Sequence, residues 1–149
     1  LVTLLHLRNI SLRDDTPFSI VSEMLDLRNR ELAEVAHVDD FIISEHLVSL
    51  MMSQLSENAN LFDILMDIFD HEGSEIYLKP AADYIETGKP VNFYTVTEAA
   101  CRLGQTAIGY RLLNEAGDAG KAYGVHTNPK KSWMVVFSPE DKIIVIAEE

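Results

Sequence analysis

The sequence predicts an α/β chain made of the closing strands of a doubly wound parallel sheet, a pair of apolar helices, and a small α+β lobe. Three observations carry this. The first third alternates short runs of strand formers with helical periods over tight connections, the rhythm of parallel strands joined by crossover helices. Residues 45–70 are apolar around most of their helical circumference, where a surface helix would show a single stripe. From Gly73 onward the pattern changes to short strand-like runs punctuated by Gly and Pro.

The elements follow in order. Leu1, Leu4, Leu5 and Leu7 read as a helix already under way, so the chain is expected to be a fragment of something longer. Asp14, Asp15, Thr16 and Pro17 break that helix, and residues 18–23 form a short strand. Asp26 sits where an N-cap belongs, ahead of Leu27, Leu32, Val35 and Ala36 at helical spacing. Residues 41–43 make a second strand and Ser44 caps the next helix, so residues 1–44 read as part of a Rossmann-like lobe.

Residues 45–72 are expected to form the crossover helix pair, with helices over 45–56 and 60–70 separated at Glu57, Asn58 and Ala59. The second helix carries Leu61, Ile64, Leu65 and Ile68 on one side and Phe62, Met66 and Phe69 on another, leaving Asp63, Asp67 and Asp70 as a polar strip. The first repeats the excess with Leu47, Val48, Leu50, Met51, Met52 and Leu55, and paired Met residues suit an adaptable contact surface. Neither helix can satisfy all of its apolar surface within one small lobe, and the second has one face for its own lobe and one for a partner.

Residues 73–149 are expected to form the α+β lobe. Its strands are placed at 75–78, 91–95, 106–112, 123–126, 133–137 and 142–147, with one helix over 97–103 capped by Thr97.

Composition narrows the function. Twelve Lys and Arg against twenty-four Asp and Glu give a formal charge of -12. Such a chain repels a phosphate backbone, which excludes DNA and RNA as partners. The single Cys101 cannot form an internal disulfide; it is read as a buried thiol in a reducing, cytosolic setting. The densest apolar run, Leu47 to Met52, is interrupted by Ser49 and is far short of the roughly 20 residues of a membrane helix, so this piece is expected to be soluble.

Catalytic motifs are absent. His46 and His71 are too far apart for a HExxH pair, no Ser lies in a GxSxG elbow, and no GxGxxG occurs. Gly120 precedes Lys121 as in a phosphate loop, but Ala122 follows the Lys and Glu115 stands five residues before Gly120, so a turn between strands is the better reading. In an open α/β sheet, ligands collect at the carboxyl ends of the strands. There Glu23, Asp26 and Glu45 could offer oxygen to a hard cation such as calcium, against the competing reading that Asp26 caps a helix and the others are solvated.

This order of elements resembles an RCK domain, the ring-forming cytosolic regulator of potassium conductance. Glu23-Met24-Leu25-Asp26 with Asn29, and the closing Ile144-Val145-Ile146-Ala147-Glu148, sharpen the resemblance to the Castor and Pollux type of ion channel. It covers roughly residues 18–149. It implies a ligand-sensing gating domain of a potassium or cation channel or transporter, not an enzyme, working as a homodimer or ring at the cytoplasmic face of the membrane, with the pore domain upstream in the same chain. It also implies a subunit interface on the helix pair, at Met51, Met52, Leu55, Phe62, Leu65, Met66 and Phe69. The ligand it implies is calcium or a nucleotide in the full-length protein, with no cofactor held by this piece, since the half of the lobe that would carry a glycine-rich loop lies elsewhere. Two alternatives stand beside it: the tail of a Rossmann-type NAD-dependent oxidoreductase, for which no acid, base and orienting group come together, and an oligomerisation module without a ligand.

Overall fold

A computed structural model of the chain describes residues 2–13, 21–24, 40–70 and 72–148. The chain divides into two compact units, Leu1–Phe62 and Asp63–Glu149.

The first unit opens with helix α1 (Val2–Arg13), which ends just before the breaking residues Asp14 to Pro17. Strands β1 (Val21–Met24) and β2 (Asp40–Ile43) pair in parallel, with Val21 opposite Asp40 and Met24 opposite Ile43. Parallel neighbours need a crossover between them. The helix expected after Asp26 would supply it, but that stretch, Asp26 included, lies outside the described residues. β2 runs directly into α2 (Ser44–Glu57), a turn at 58–60 follows, and α3 (Leu61–Phe69) begins. The turn is held by local bonds: the Asn58 N–H donates to the Gln54 carbonyl, and the Asn58 side chain accepts from the Asn60 N–H at 3.1 Å.

In the second unit a four-stranded antiparallel sheet has the order β3–β8–β5–β6, formed by β3 (Glu75–Pro80), β8 (Lys142–Ala147), β5 (Thr106–Arg111) and β6 (Val125–Thr127). A separate two-stranded ribbon joins β4 (Pro90–Asn92) to β7 (Met134–Val136). Helix α4 (Phe93–Arg102) lays Phe93, Val96 and Ala100 on one face of the large sheet. They meet Ala107, Tyr110, Ile143, Val145 and Ala147 there, and Phe137, Ala81, Tyr84 and Ile85 close the edges. Tyr110 packs edge-on against Phe137 with ring centroids 5.3 Å apart.

β8 falls on the residues expected of it, because Ile143, Val145 and Ala147 alternate towards the core. The helix of this lobe differs. Expected over 97–103 with Thr97 as its cap, it begins four residues earlier at Phe93, and its cap is Asn92, whose side chain accepts from the Thr95 N–H at 3.1 Å. Thr95, Val96 and Thr97 look like strand formers, but the burial of Phe93, Val96 and Ala100 at helical spacing overrides that weak preference. The helix ends in a Schellman motif: Gly104 N–H donates to the Cys101 carbonyl and Gln105 N–H to the Ala100 carbonyl, with Gly104 at φ 72°. This register also corrects the reading of Cys101 as a buried thiol. It lies off the Phe93–Val96–Ala100 stripe and is exposed.

The loops lean on one buried carboxylate. Asp141, 4% exposed, accepts from the Leu113 N–H at 2.8 Å and the Ser138 N–H at 2.7 Å, while its backbone carbonyl accepts from the Ala81 N–H at 2.9 Å. One residue therefore ties three connections to the start of β8.

Candidate functional site

Of the three carboxylates expected at the strand ends, Glu23 and Glu45 are described. Glu23 is the third residue of β1, and the Ser44 hydroxyl at the start of α2 donates to its Oε1 at 2.6 Å. The end of one parallel strand is thereby tied to the helix that follows its neighbour. Glu45 is exposed in the first turn of α2, where a carboxylate also complements the positive end of the helix dipole. Asp26 lies outside the described residues. Among the described residues no group of three His, Cys, Asp or Glu side chains is placed to hold a metal ion.

The two apolar helices present their surface outward. None of the residues of α3 is buried: Leu61, Leu65 and Ile68 are half-buried, while Phe62, Ile64, Met66 and Phe69 are 50 to 58% exposed. In α2, Met51 and Leu55 are half-buried and Leu47, Val48, Leu50 and Met52 are exposed. Of the seven residues expected at an interface, Met52, Phe62, Met66 and Phe69 are therefore open to solvent, and Met51, Leu55 and Leu65 are partly covered. The exposed set also holds Ile64, which helical phase had grouped with Leu61, Leu65 and Ile68.

One polar cluster escaped the sequence reading. Between β5 and β6, Glu115 accepts from Lys121 Nζ at 2.9 Å through Oε1, and its Oε2 meets His126 Nε2 at 3.0 Å. The two hydrogen bonds, that from Lys121 first, hold the Glu115 carboxyl below its ordinary range. The His126 ring stacks on Tyr110 at 4.8 Å, and burial pushes the Tyr110 phenol up. Lys121, the residue that mimicked a phosphate-loop lysine, is thus paired with a carboxylate. The turn carrying it is tight: Ala122 and Tyr123 take φ of 50° and 54°, and Gly124 follows at 79°. A Cβ on Gly124 would collide with the Leu112 carbonyl oxygen. The signal was Glu115 and His126 at the two ends of a Gly-rich turn, but only the β5–β6 pairing brings them together.

An open cleft of about 520 Å³ is lined by Thr87, Asn114, Ser138 and Asp141 among others. Both Asp141 oxygens are taken by backbone N–H groups, so the cleft offers no free charge for acid–base chemistry. Among the described residues no helix is long and apolar enough to cross a membrane.

No protein-family model matches the chain. It is 32% identical over 130 residues to the ion channel CASTOR of Lotus japonicus, an alignment covering 87% of this chain and 14% of that protein. It is 31% identical over 128 residues to the probable ion channel POLLUX of Arabidopsis thaliana, covering 86% and 15%. With the ion channel DMI1 of Medicago truncatula it shares 33% identity over 96 residues, covering 64% and 11%. The solved RCK domain of GsuK aligns over 98% of this chain and 27% of its own, at 12% identity and a TM-score of 0.40. The chain thus spans a small part of the curated relatives it matches, and it is homologous to one segment of the CASTOR and POLLUX ion channels.

Proposed function

We propose that this chain is a cytosolic, ring-forming gating segment of a cation channel, joined in the full-length protein to a membrane pore, and that α2 and α3 dock on a second copy. The observation that carries the reading is the exposure of Phe62, Ile64, Met66 and Phe69 on α3. Burying side chains of this size contributes about 1.5–3 kcal/mol each. These four are already about half covered, so burying the rest amounts to about 3–6 kcal/mol, a large part of the stability of a domain. A nine-residue helix is too short to persist in water by its own propensity, so its apolar surface needs a partner. The relatives are ion channels, which favours a regulatory role over catalysis.

A gate of this kind responds to a ligand only through unequal affinity for its two states. Calcium is the ligand we assign to the rim, with Glu23, Asp26 and Glu45 as hard oxygen donors. A nucleotide held by the remainder of the full-length lobe is the alternative.

Light scattering at micromolar concentration should find the chain at least dimeric, with Phe62→Asp and Leu65→Asp dissociating it. A monomeric wild type sinks the assembly reading. The calcium assignment has its own test: calorimetry should register heat on calcium addition that Glu23→Gln and Asp26→Asn reduce, and no heat with the wild type removes it.

A further inference from the structure

The two segments that build the β4–β7 ribbon differ in charge from the rest of the chain. Residues 87–97 and 119–139 contain no Asp or Glu, although acids outnumber Lys and Arg by twenty-four to twelve in the whole sequence. They carry Lys89, Lys121, Lys130 and Lys131 instead. Lys89 pairs with Glu86 at 2.8 Å and Lys121 with Glu115 at 2.9 Å, which leaves Lys130 and Lys131 without a carboxylate partner among the described residues. Lys130 is exposed, and Lys131 Nζ lies 4.5 Å from the centre of the Phe93 ring.

The fold gathers large apolar side chains beside these two cations. The Trp133 N–H donates to the Lys130 carbonyl at 3.0 Å, closing a turn, and the Tyr94 N–H in the first turn of α4 donates to the Lys131 carbonyl at 3.2 Å. Tyr94 and Trp133 therefore flank the lysines, and they are 63% and 61% exposed. β7 continues the patch. Val135 and its partner Val91 pack against the core, so the alternate residues Met134 and Val136 face outward at 60% and 58% exposed, opposite Asn92 and Pro90. Apolar residues exposed singly are ordinary, but four so close together mark a contact surface.

We infer that this end of the ribbon rests on an anionic lipid surface, with Tyr94, Trp133 and Met134 entering the headgroup layer and Lys130 and Lys131 on its phosphates. The inference rests on the reading that the full-length chain carries a membrane pore, and it names the surface that meets the membrane. Two properties select the occupant. Trp and Tyr favour the boundary between water and hydrocarbon, where an apolar ring and its polar tip are both satisfied. Lys beside such rings adds attraction to acidic headgroups. The acidic excess of the chain resides outside both ribbon segments, and charges more than about 8 Å away are largely screened at physiological salt. A nucleic acid duplex, by contrast, offers phosphates with no apolar layer for Trp133 and Met134. A patch of this size binds weakly by itself, and a tether to the pore raises the effective concentration of the surface.

Trp133 is the single Trp of the chain, so its fluorescence reports on the proposed contact directly. Vesicles of phosphatidylcholine mixed with phosphatidylserine should shift its emission to the blue and sediment the 149-residue chain, while vesicles of phosphatidylcholine alone should do neither. Lys130→Glu with Lys131→Glu, and separately Trp133→Ala, should each weaken co-sedimentation at least about tenfold, with circular dichroism confirming that both variants are folded. A wild type that ignores the mixed vesicles overturns the inference. So does binding that both variants retain in full. The same blue shift produced by soluble polyglutamate without vesicles assigns the patch to an acidic protein partner and also overturns it. Each of these failures leaves the channel-segment reading standing, because that reading is tested by the state of assembly and not by vesicle binding.

Discussion

Asp141 gives the most quantitative expectation. It is almost fully buried, and its two carboxylate oxygens accept short hydrogen bonds from the Leu113 and Ser138 N–H groups. Bonds to a charged acceptor contribute about 1.5–3 kcal/mol each, so truncation to Ala would forfeit about 3–6 kcal/mol if both donors stayed dry. Leu113 and Ser138 are themselves exposed, however, and water can reach the freed donors. We therefore expect Asp141→Ala to cost about 2–4 kcal/mol, the lower part of the range. Asp141→Asn should cost nearly as much, because its amide group turns a donor towards one backbone N–H. Urea unfolding followed by far-ultraviolet circular dichroism measures this directly. With a slope of about 1 kcal/mol per molar urea, the midpoint should fall by at least about 2 M with little change in slope. An Asp141→Ala midpoint within experimental error of the wild type would refute the claim that this carboxylate ties the loops together.

Three further outcomes follow from the second unit. Gly124→Ala should lower the melting temperature, since its φ of 79° and the Leu112 carbonyl both resist a Cβ; an unchanged melt would mean the turn relaxes freely. The Glu115 carboxyl is held below its ordinary value of 4.5, so its pairing stabilises the fold above that pH and the contribution is lost as pH falls through the lowered folded value. Glu115→Gln should flatten the stability profile in that acid window, and an identical acid limb in the variant would refute the assignment. Cys101 is exposed, so a maleimide should label it in the native protein as fast as after unfolding, and protection in the native state would contradict the helix register.

Much of the architecture was legible because it is written locally. Ile143, Val145 and Ala147 alternate with the period of a strand, and β8 lies where that alternation places it. Residues 18–23 and 41–43 read as strands feeding helices, and the strands Val21–Met24 and Asp40–Ile43 pair in parallel. The apolar excess of residues 61–69 appears as exposed surface on α3. The start of α4 was less legible, because Thr95, Val96 and Thr97 carry a strand preference that only the buried contacts of Phe93 and Val96 overrule. A lone thiol is usually buried, but helix phase decides which residues face the sheet and leaves Cys101 exposed.

The amino-acid order alone thus determined the succession of elements, the acidic character of the chain, and the presence of a helix apolar on more than one side. Each depends on residues within a few positions of one another or on composition. Tertiary structure decided which distant residues meet: Glu115 with His126 across a Gly-rich turn, Asp141 with Leu113, and Arg111 beside Lys142 on one sheet face. These contacts depend on strand register, and a shift of one residue would send every side chain of a strand to the opposite face. The long-range pairing of β5 with β8 is therefore what sets two basic residues far apart in sequence directly opposite one another.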